Sequence, residues 1–365
     1  MMAERFPRSA RHGRSSAIRD NKTKLPRNMT QDIKQKKKHH YIPIAYLERF
    51  TDNKGKVFAY KKDTPNQPLY LKPNAIGFER YYYSQPIEGG RQDNNRLEDF
   101  FSELETHWPP IVDSFSQGKS AEGRVEEFFQ FVALQRARVP AARDGIELWL
   151  AALVQKRFEE LKRLKQIPEP PEGFEDILDN VQISIDPHRS IHAIPQLMKE
   201  FAELYEIAGL EIVHNKTDID FITSDNPVCY YGSNRMNDKI VPYPNPPIQK
   251  YLNIIFPITP KIAIIGSRKT PVLRSGMHLR HSDMIEKNSV NRNNRTIAQF
   301  AYRFVFSKTK TVEDLVKNYS AVCPISFFKE DNFVFNGTLP RIETVFGSRR
   351  EKAKWRNSQS GTDDS

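Results

Sequence analysis

The hydrophobic pattern passes from helical to strand spacing near Gly209, and that change limits the folds open to this chain. Before it, apolar residues recur at helical spacing. Leu97, Phe100, Phe101, Leu104 and Trp108 fall at i, i+3, i+4, i+7 and i+11, and Val125, Phe128, Phe129 and Val132 repeat the stripe. Pro109 and Pro110 are expected to end or kink the first of these helices. Pro140 interrupts the second, 147–164 resumes it, and 190–207 reads as helix despite Pro195. After Gly209 the apolar runs are short and rich in Ile and Val. Residues 210–214, 220–223, 252–256 and 261–266 read as strands of a mostly antiparallel sheet. A helix over 283–301, a strand over 302–307 and a short helix near 312–318 follow. Ahead of the helical block lie a short helix after Pro43, a strand over 56–60 and an extended piece over 80–84 containing Tyr81, Tyr82 and Tyr83. The order predicts an α+β fold, a helical block packed with a mostly antiparallel sheet, rather than alternating βα units.

The chain's 365 residues are 38% hydrophobic, enough for a sizeable core. No stretch approaches the roughly 18–20 apolar residues of a membrane span, so no membrane partner is expected. No apolar core follows the N-terminal charges, so no secretory signal is expected either. Two cysteines, Cys229 and Cys323, are too few for a disulfide framework or a zinc ribbon, and a reduced, cytoplasmic setting is the expectation.

The basicity is uneven. Residues 1–38 hold 12 Lys and Arg against 3 Asp and Glu, and residues 348–365 hold 5 against 3. These two ends account for the whole formal charge of +11, and the body between them is neutral. We expect a disordered basic tail over 1–35, one α+β domain over 36–347 and a basic, frayed tail over 348–365. Met29 is an alternative start that would leave most of the first tail untranslated. Basic arms hold phosphate backbones by counterion release, so nucleic acid is a candidate partner through the tails.

Several polar residues are out of place for pure packing. His39 and His40 stand in KKKHHYIPIAYLERF, where imidazole can ligate a metal or move protons. Adjacent residues of an extended segment face opposite ways, so the alternative is one histidine bonded to the helix start and one turned to solvent. Asp225, in FITSDNPV, sits at a strand end, where a carboxylate can bind a divalent cation or act as general base, with Asn226 orienting a substrate group. The alternative is an Asx-turn. Arg136 continues the stripe of 125, 128, 129 and 132, so its guanidinium must find an anionic ligand, pair with a buried acid such as Asp225, or snorkel past the helix end. Asn294 lies among Val290, Ile297 and Ala301 on one helical face, with Asn291 beside it. Either it pins that helix to the Ser-Asp-Asn-Pro turn or it faces a ligand. No phosphate-cradling glycine loop, nucleophile elbow or dinucleotide fingerprint is present.

KHHYIPIAYLERFTDNKGKVFAY, IGFERYYY, FFQFVALQRARVP, FITSDNPV, FPITPKIAIIG and VNRNNRTIAQFAYRFVFS occur in that order. Together they resemble DUF4238, a largely bacterial family of unknown function, over about residues 36–310. The resemblance implies no activity. Two readings follow from the residues themselves. In one, the polar groups brace the core of a binding module whose basic tails contact nucleic acid or an acidic partner. In the other, the protein is a metal-assisted phosphodiesterase or nuclease in which Asp225 and His39 or His40 bind metal or move protons and Arg136 holds phosphate. The second requires those groups to converge in one pocket.

Overall fold

The computed structural model describes residues 35–349, apart from 122, 234–239, 245–251, 268, 271–278 and 329–341. The two basic tails, Met29 and most of the proline-rich loop at 243–249 lie outside the described residues.

The chain enters through β1 (Lys38–His40), and Pro43, in extended backbone, leads into α1 (Ile44–Glu48). Strands β2 (Val57–Lys61), β3 (Leu69–Leu71) and β4 (Phe78–Arg80) follow. The tyrosine run is a turn rather than the expected extended piece. The strand stops at Arg80, and Tyr81 takes φ of 56°, a left-handed value that a strand cannot use. Gly77 (φ 73°) makes the other end of β4 possible, because its carbonyl accepts from the N–H groups of both Tyr41 and Ile42. A Cβ there would meet Ile42 Cβ at 3.2 Å.

A small hairpin of β5 (Gln85–Pro86) and β6 (Gln92–Asp93) leads into the helical block: α2 (Arg96–Glu105), α3 (Trp108–Ser116), α4 (Val125–Ala137) and α5 (Pro140–Arg163). Pro109 and Pro110 do not kink α2. The chain breaks before Trp108, and the two prolines occupy the first turn of α3, where a missing N–H costs nothing. Pro140 starts α5 in the same way, and Pro195 lies in the first turn of α7 (Ile194–Ile207), after the short α6 (Pro187–Ser190).

Beyond Gly209 come β7 (Gly209–Asn215), β8 (Thr223–Ser224), β9 (Cys229–Ser233), β10 (Ile240–Pro242), β11 (Leu252–Thr259), β12 (Ile262–Ser267) and β13 (Arg280–Met284). Then follow α8 (Lys287–Phe300), β14 (Phe304–Ser307), α9 (Glu313–Asn318), β15 (Cys323–Phe328) and β16 (Ile342–Gly347). The segment 220–223 gives only its last residue to a strand. Strands β9, β10, β13 and the β15–β16 hairpin were not among the expected elements.

The fold is α+β with mostly antiparallel sheets, as the sequence predicts. One sheet runs β10-β9-β11-β12-β7-β13, and only its β7–β13 pairing is parallel. A second runs β3-β2-β14-β8 and gathers strands from both ends of the chain. Helix α1 sits between the two sheets. Tyr46 stacks on Phe256 of β11, and its buried hydroxyl lies 2.6 Å from both Thr223 Oγ1 and the Pro257 carbonyl. Trp108 and Phe131, stacked at 4.1 Å, join α3 to α4 beneath it. This arrangement places β1, β4, β8 and the α8–β14 link close together.

Candidate functional site

Helix α8 ends at Phe300 and β14 begins at Phe304, so the N–H groups of Tyr302 and Arg303 belong to neither element. Asp225, immediately after β8, satisfies both. Its Oδ1 accepts from the Tyr302 N–H at 2.8 Å and its Oδ2 from the Arg303 N–H at 2.7 Å. Its own N–H donates to the Phe304 carbonyl. Asn226 Nδ2 donates to the Phe300 carbonyl at 2.8 Å, and Lys62 Nζ donates to the carbonyls of Ala298, Ala301 and Val322. The last carbonyls of a helix have no partner within it; here a carboxamide and an ammonium supply them. Asp225 and Asn226 are fully buried. Burial pushes the Asp225 carboxyl up, while the amides it holds and the nearby Arg303 pull it down.

The Arg303 side chain leaves this link in the other direction. It pairs with Glu79 of β4 and lies 3.8 Å from Asp144 of α5, whose Oδ2 also accepts from the Tyr302 hydroxyl at 2.8 Å. Glu79 and Asp144, with Asp225 beyond them, hold the guanidinium firmly in its charged form against the cost of burial. Asp225 and Glu79 also add to the burial that pushes the Tyr41 hydroxyl up. One residue from each of five separate segments therefore meets here: Tyr41, Glu79, Asp144, Asp225 and Arg303. Arg303 stands among three carboxylates in the manner of a counter-ion.

The two histidines belong to β1 itself and point to its opposite faces. His39 is fully buried; its Nδ1 accepts from the Tyr83 N–H at 2.7 Å and its ring stacks on Tyr83 at 5.6 Å. That bond fixes the proton on Nε2, which makes no well-formed hydrogen bond among the described residues. Burial lowers the His39 pKa. Among the described residues His40 Nε2 is likewise buried without a well-formed hydrogen bond, and burial, followed by the charges of Arg138, Lys38 and His39, brings His40 down to about 4 against the opposing pull of the Asn74 backbone. Glu98 of α2 packs against the His40 backbone. Burial and the neighbouring Glu105 push its carboxyl up to about 7, although Arg138, Lys36 and the His40 backbone oppose this.

Arg138, just past α4, is the fully buried guanidinium of this helix, not Arg136. It pairs with Glu105 at 2.7 Å and donates to Gln135 Oε1 at 3.1 Å, and Gln135 in turn donates to the Tyr41 carbonyl. Arg136 is partly buried and faces the six-stranded sheet. Its guanidinium carbon lies 3.8 Å from the Tyr243 ring centroid and 5.8 Å from that of Tyr230, while Nε and one terminal nitrogen have no hydrogen-bond partner among the described residues. Among the described residues, no hydrogen bond or ion pair joins Asp225 to either histidine or to Arg136.

Asn294 fastens α8 to the segment ahead of β8. Its Oδ1 accepts from the Ile222 N–H at 3.1 Å and its Nδ2 donates to the Asp220 carbonyl at 2.9 Å. Asn291, one turn earlier, lines a cleft of about 480 Å³ with Asn294, Arg295, Asp218, Asp220 and residues of the β14–α9 connection. Among the described residues no three His, Cys, Asp or Glu side chains come together as a metal set, and Cys229 and Cys323 are free and buried.

Sequence reasoning missed Arg303, Glu79, Asp144, Arg138 and Lys62. Each stands in or beside a segment singled out earlier, but none interrupts an apolar stripe, the signal by which Arg136 and Asn294 were chosen. A usable signal was the charge flanking a short strand: Arg303 is the only charged residue in FAYRFVF, and Glu79 the first in IGFER.

No curated protein and no solved structure matches the chain. The family described as "Protein of unknown function (DUF4238)" matches residues 38–311, a span that takes in all five segments meeting at Arg303. The chain belongs to the DUF4238 family.

Proposed function

We propose that the protein is a binding module. Its family motifs brace the body, and its basic tails engage an anionic partner, nucleic acid or an acidic protein surface. The observation that carries this reading is the engagement of the Asp225 carboxylate, with both oxygens accepting from backbone N–H groups. A general base or metal ligand must also be reached by its substrate or ion, and Asp225, although each oxygen keeps a lone pair, is fully buried. The residues of the phosphodiesterase reading also keep separate company: Asp225 with the α8–β14 link, His39 with Tyr83, His40 with Glu98 and Arg138, and Arg136 with Tyr243. The body's charge is near neutral, so attraction to a polyanion falls to the tails.

Fluorescence anisotropy with labelled single- and double-stranded DNA and RNA tests this, using the full chain and a chain lacking residues 1–34 and 350–365. Binding that weakens steeply with added salt and disappears on trimming is the expected result. Cleavage of any of these substrates with Mg²⁺ or Mn²⁺, lost in Asp225→Asn while the variant stays folded, would overturn it in favour of the nuclease.

A further inference from the structure

The cleft beside α8 has a division of labour among its polar groups. Asp220 pairs with Lys261 at 2.8 Å and Asp218 with Lys287 at 2.9 Å, so each carboxylate is already neutralised by a lysine while keeping lone pairs for further donors. The Asn294 amide is committed to the backbone at 220 and 222. Thr309 and Thr311 bond each other through their hydroxyls at 2.8 Å. Asn291 and Arg295 differ. They lie one turn apart on α8, both line the cleft, and neither has a hydrogen bond or ion pair among the described residues. Among the described residues, the one unmatched charge in the lining is the Arg295 guanidinium, a planar fork suited to a carboxylate. Ile219, Val312 and Leu315 supply the apolar part of the wall. The volume of about 480 Å³ is that of a small-ligand site.

We propose that this cleft binds a small monocarboxylate carrying hydroxyl or amino groups. The ligand's carboxylate lies on Arg295 beside the Asn291 carboxamide, and its hydrogen-bond donors face Asp218, Asp220 and the threonine hydroxyls. A second carboxylate is disfavoured, because Asp218 and Asp220 already place two carboxylates in the wall. Its lining shares no residue with the Arg303 cluster, so the site suits a binding module and an enzyme alike.

Isothermal titration of the full chain with D-gluconate, L-serine and sorbitol tests the assignment. Gluconate and serine distinguish a hydroxylated from an amino ligand; sorbitol keeps the hydroxyls and lacks the carboxylate. Saturable binding of gluconate or serine, none of sorbitol, and a loss of at least ~10-fold in Arg295→Ala are expected, since one charge-assisted pair is removed. Arg295 is exposed, so the variant should fold, and Asn291→Ala gives a second, smaller loss. Absence of saturation with both acids, equal binding of sorbitol, or unchanged affinity in Arg295→Ala would each overturn it.

Discussion

Two polar clusters flank the β1–β4 pair, and they handle buried charge in opposite ways. At the α8–β14 link, the Asp225 carboxylate is matched to backbone N–H groups whose positions are set by the elements around them. At the His40–Glu98–Arg138 cluster, charge is matched mainly to other side chains, and among the described residues His40 Nε2 and Arg138 Nε are buried without a well-formed hydrogen bond. The first arrangement has much to lose on deletion of the carboxylate. The second is displaced in pKa at several positions and should make stability depend on pH. Sequence features of equal prominence, HHYIP and SDNPV, thus carry different physical weight.

The largest expected effect breaks the first cluster. Asp225→Ala strands the buried Tyr302 N–H and the half-buried Arg303 N–H and unties the α8–β14 link, and should cost about 3–5 kcal/mol in chemical denaturation. Asp225→Asn keeps one acceptor and should cost about half as much. A loss below ~1 kcal/mol for Asp225→Ala, the size of a surface substitution, would break the comparison.

Next comes the pH response of the second cluster. Glu98 is raised from 4.5 to about 7, so the folded chain holds a proton there that the unfolded chain releases, and its contribution to stability falls as pH rises through that window. His40 is lowered from 6.5 to about 4, so the folded chain refuses a proton that the unfolded chain takes, and stability falls as pH drops through that window. The two oppose each other where the windows overlap. Glu98→Gln should therefore gain about 1 kcal/mol at pH 8, after allowance for partial exposure, and lose stability more steeply than the parent as pH falls below 6.5. Urea midpoints across pH 4–8 would show it; parallel curves for parent and variant would contradict it.

The smallest effect sharpens the contrast at the surface. Lys36 and Asp99 pair at 2.7 Å, but their side chains are 43% and 62% exposed. Asp99→Asn should change the midpoint by no more than ~0.5 kcal/mol, and less in high salt.

Much of the architecture was legible in the sequence because burial imposes period. The stripes at 97–108 and 125–132 became α2 to α4, and the Ile- and Val-rich runs became β7, β11 and β12. The tyrosine turn was not legible, because Tyr81 adopts a backbone conformation that its type rarely takes and that tertiary contacts impose. Nor was the membership of the second sheet, which depends on pairing β2 with β14 across more than half the chain. For the candidate site, the segments were visible and their meeting point was not. Asp225 was singled out for its strand-end position, yet the groups it holds are main-chain N–H groups at 302 and 303, which no side-chain pattern announces. Arg136 was chosen by helical arithmetic, which places a residue on a face but does not say that Arg138, turning inward at the end of α4, is the guanidinium buried completely.

The measurement that reaches the central claim most directly is amide hydrogen exchange at Tyr302 and Arg303 in the unaltered protein and in Asp225→Asn. Both amides should be strongly protected in the parent, and at least one should exchange far faster in the variant while the amides of β11 and β12 stay protected. Rapid exchange of both in the parent would mean that the carboxylate is not held by the backbone, would leave Asp225 available for chemistry, and would contradict the brace.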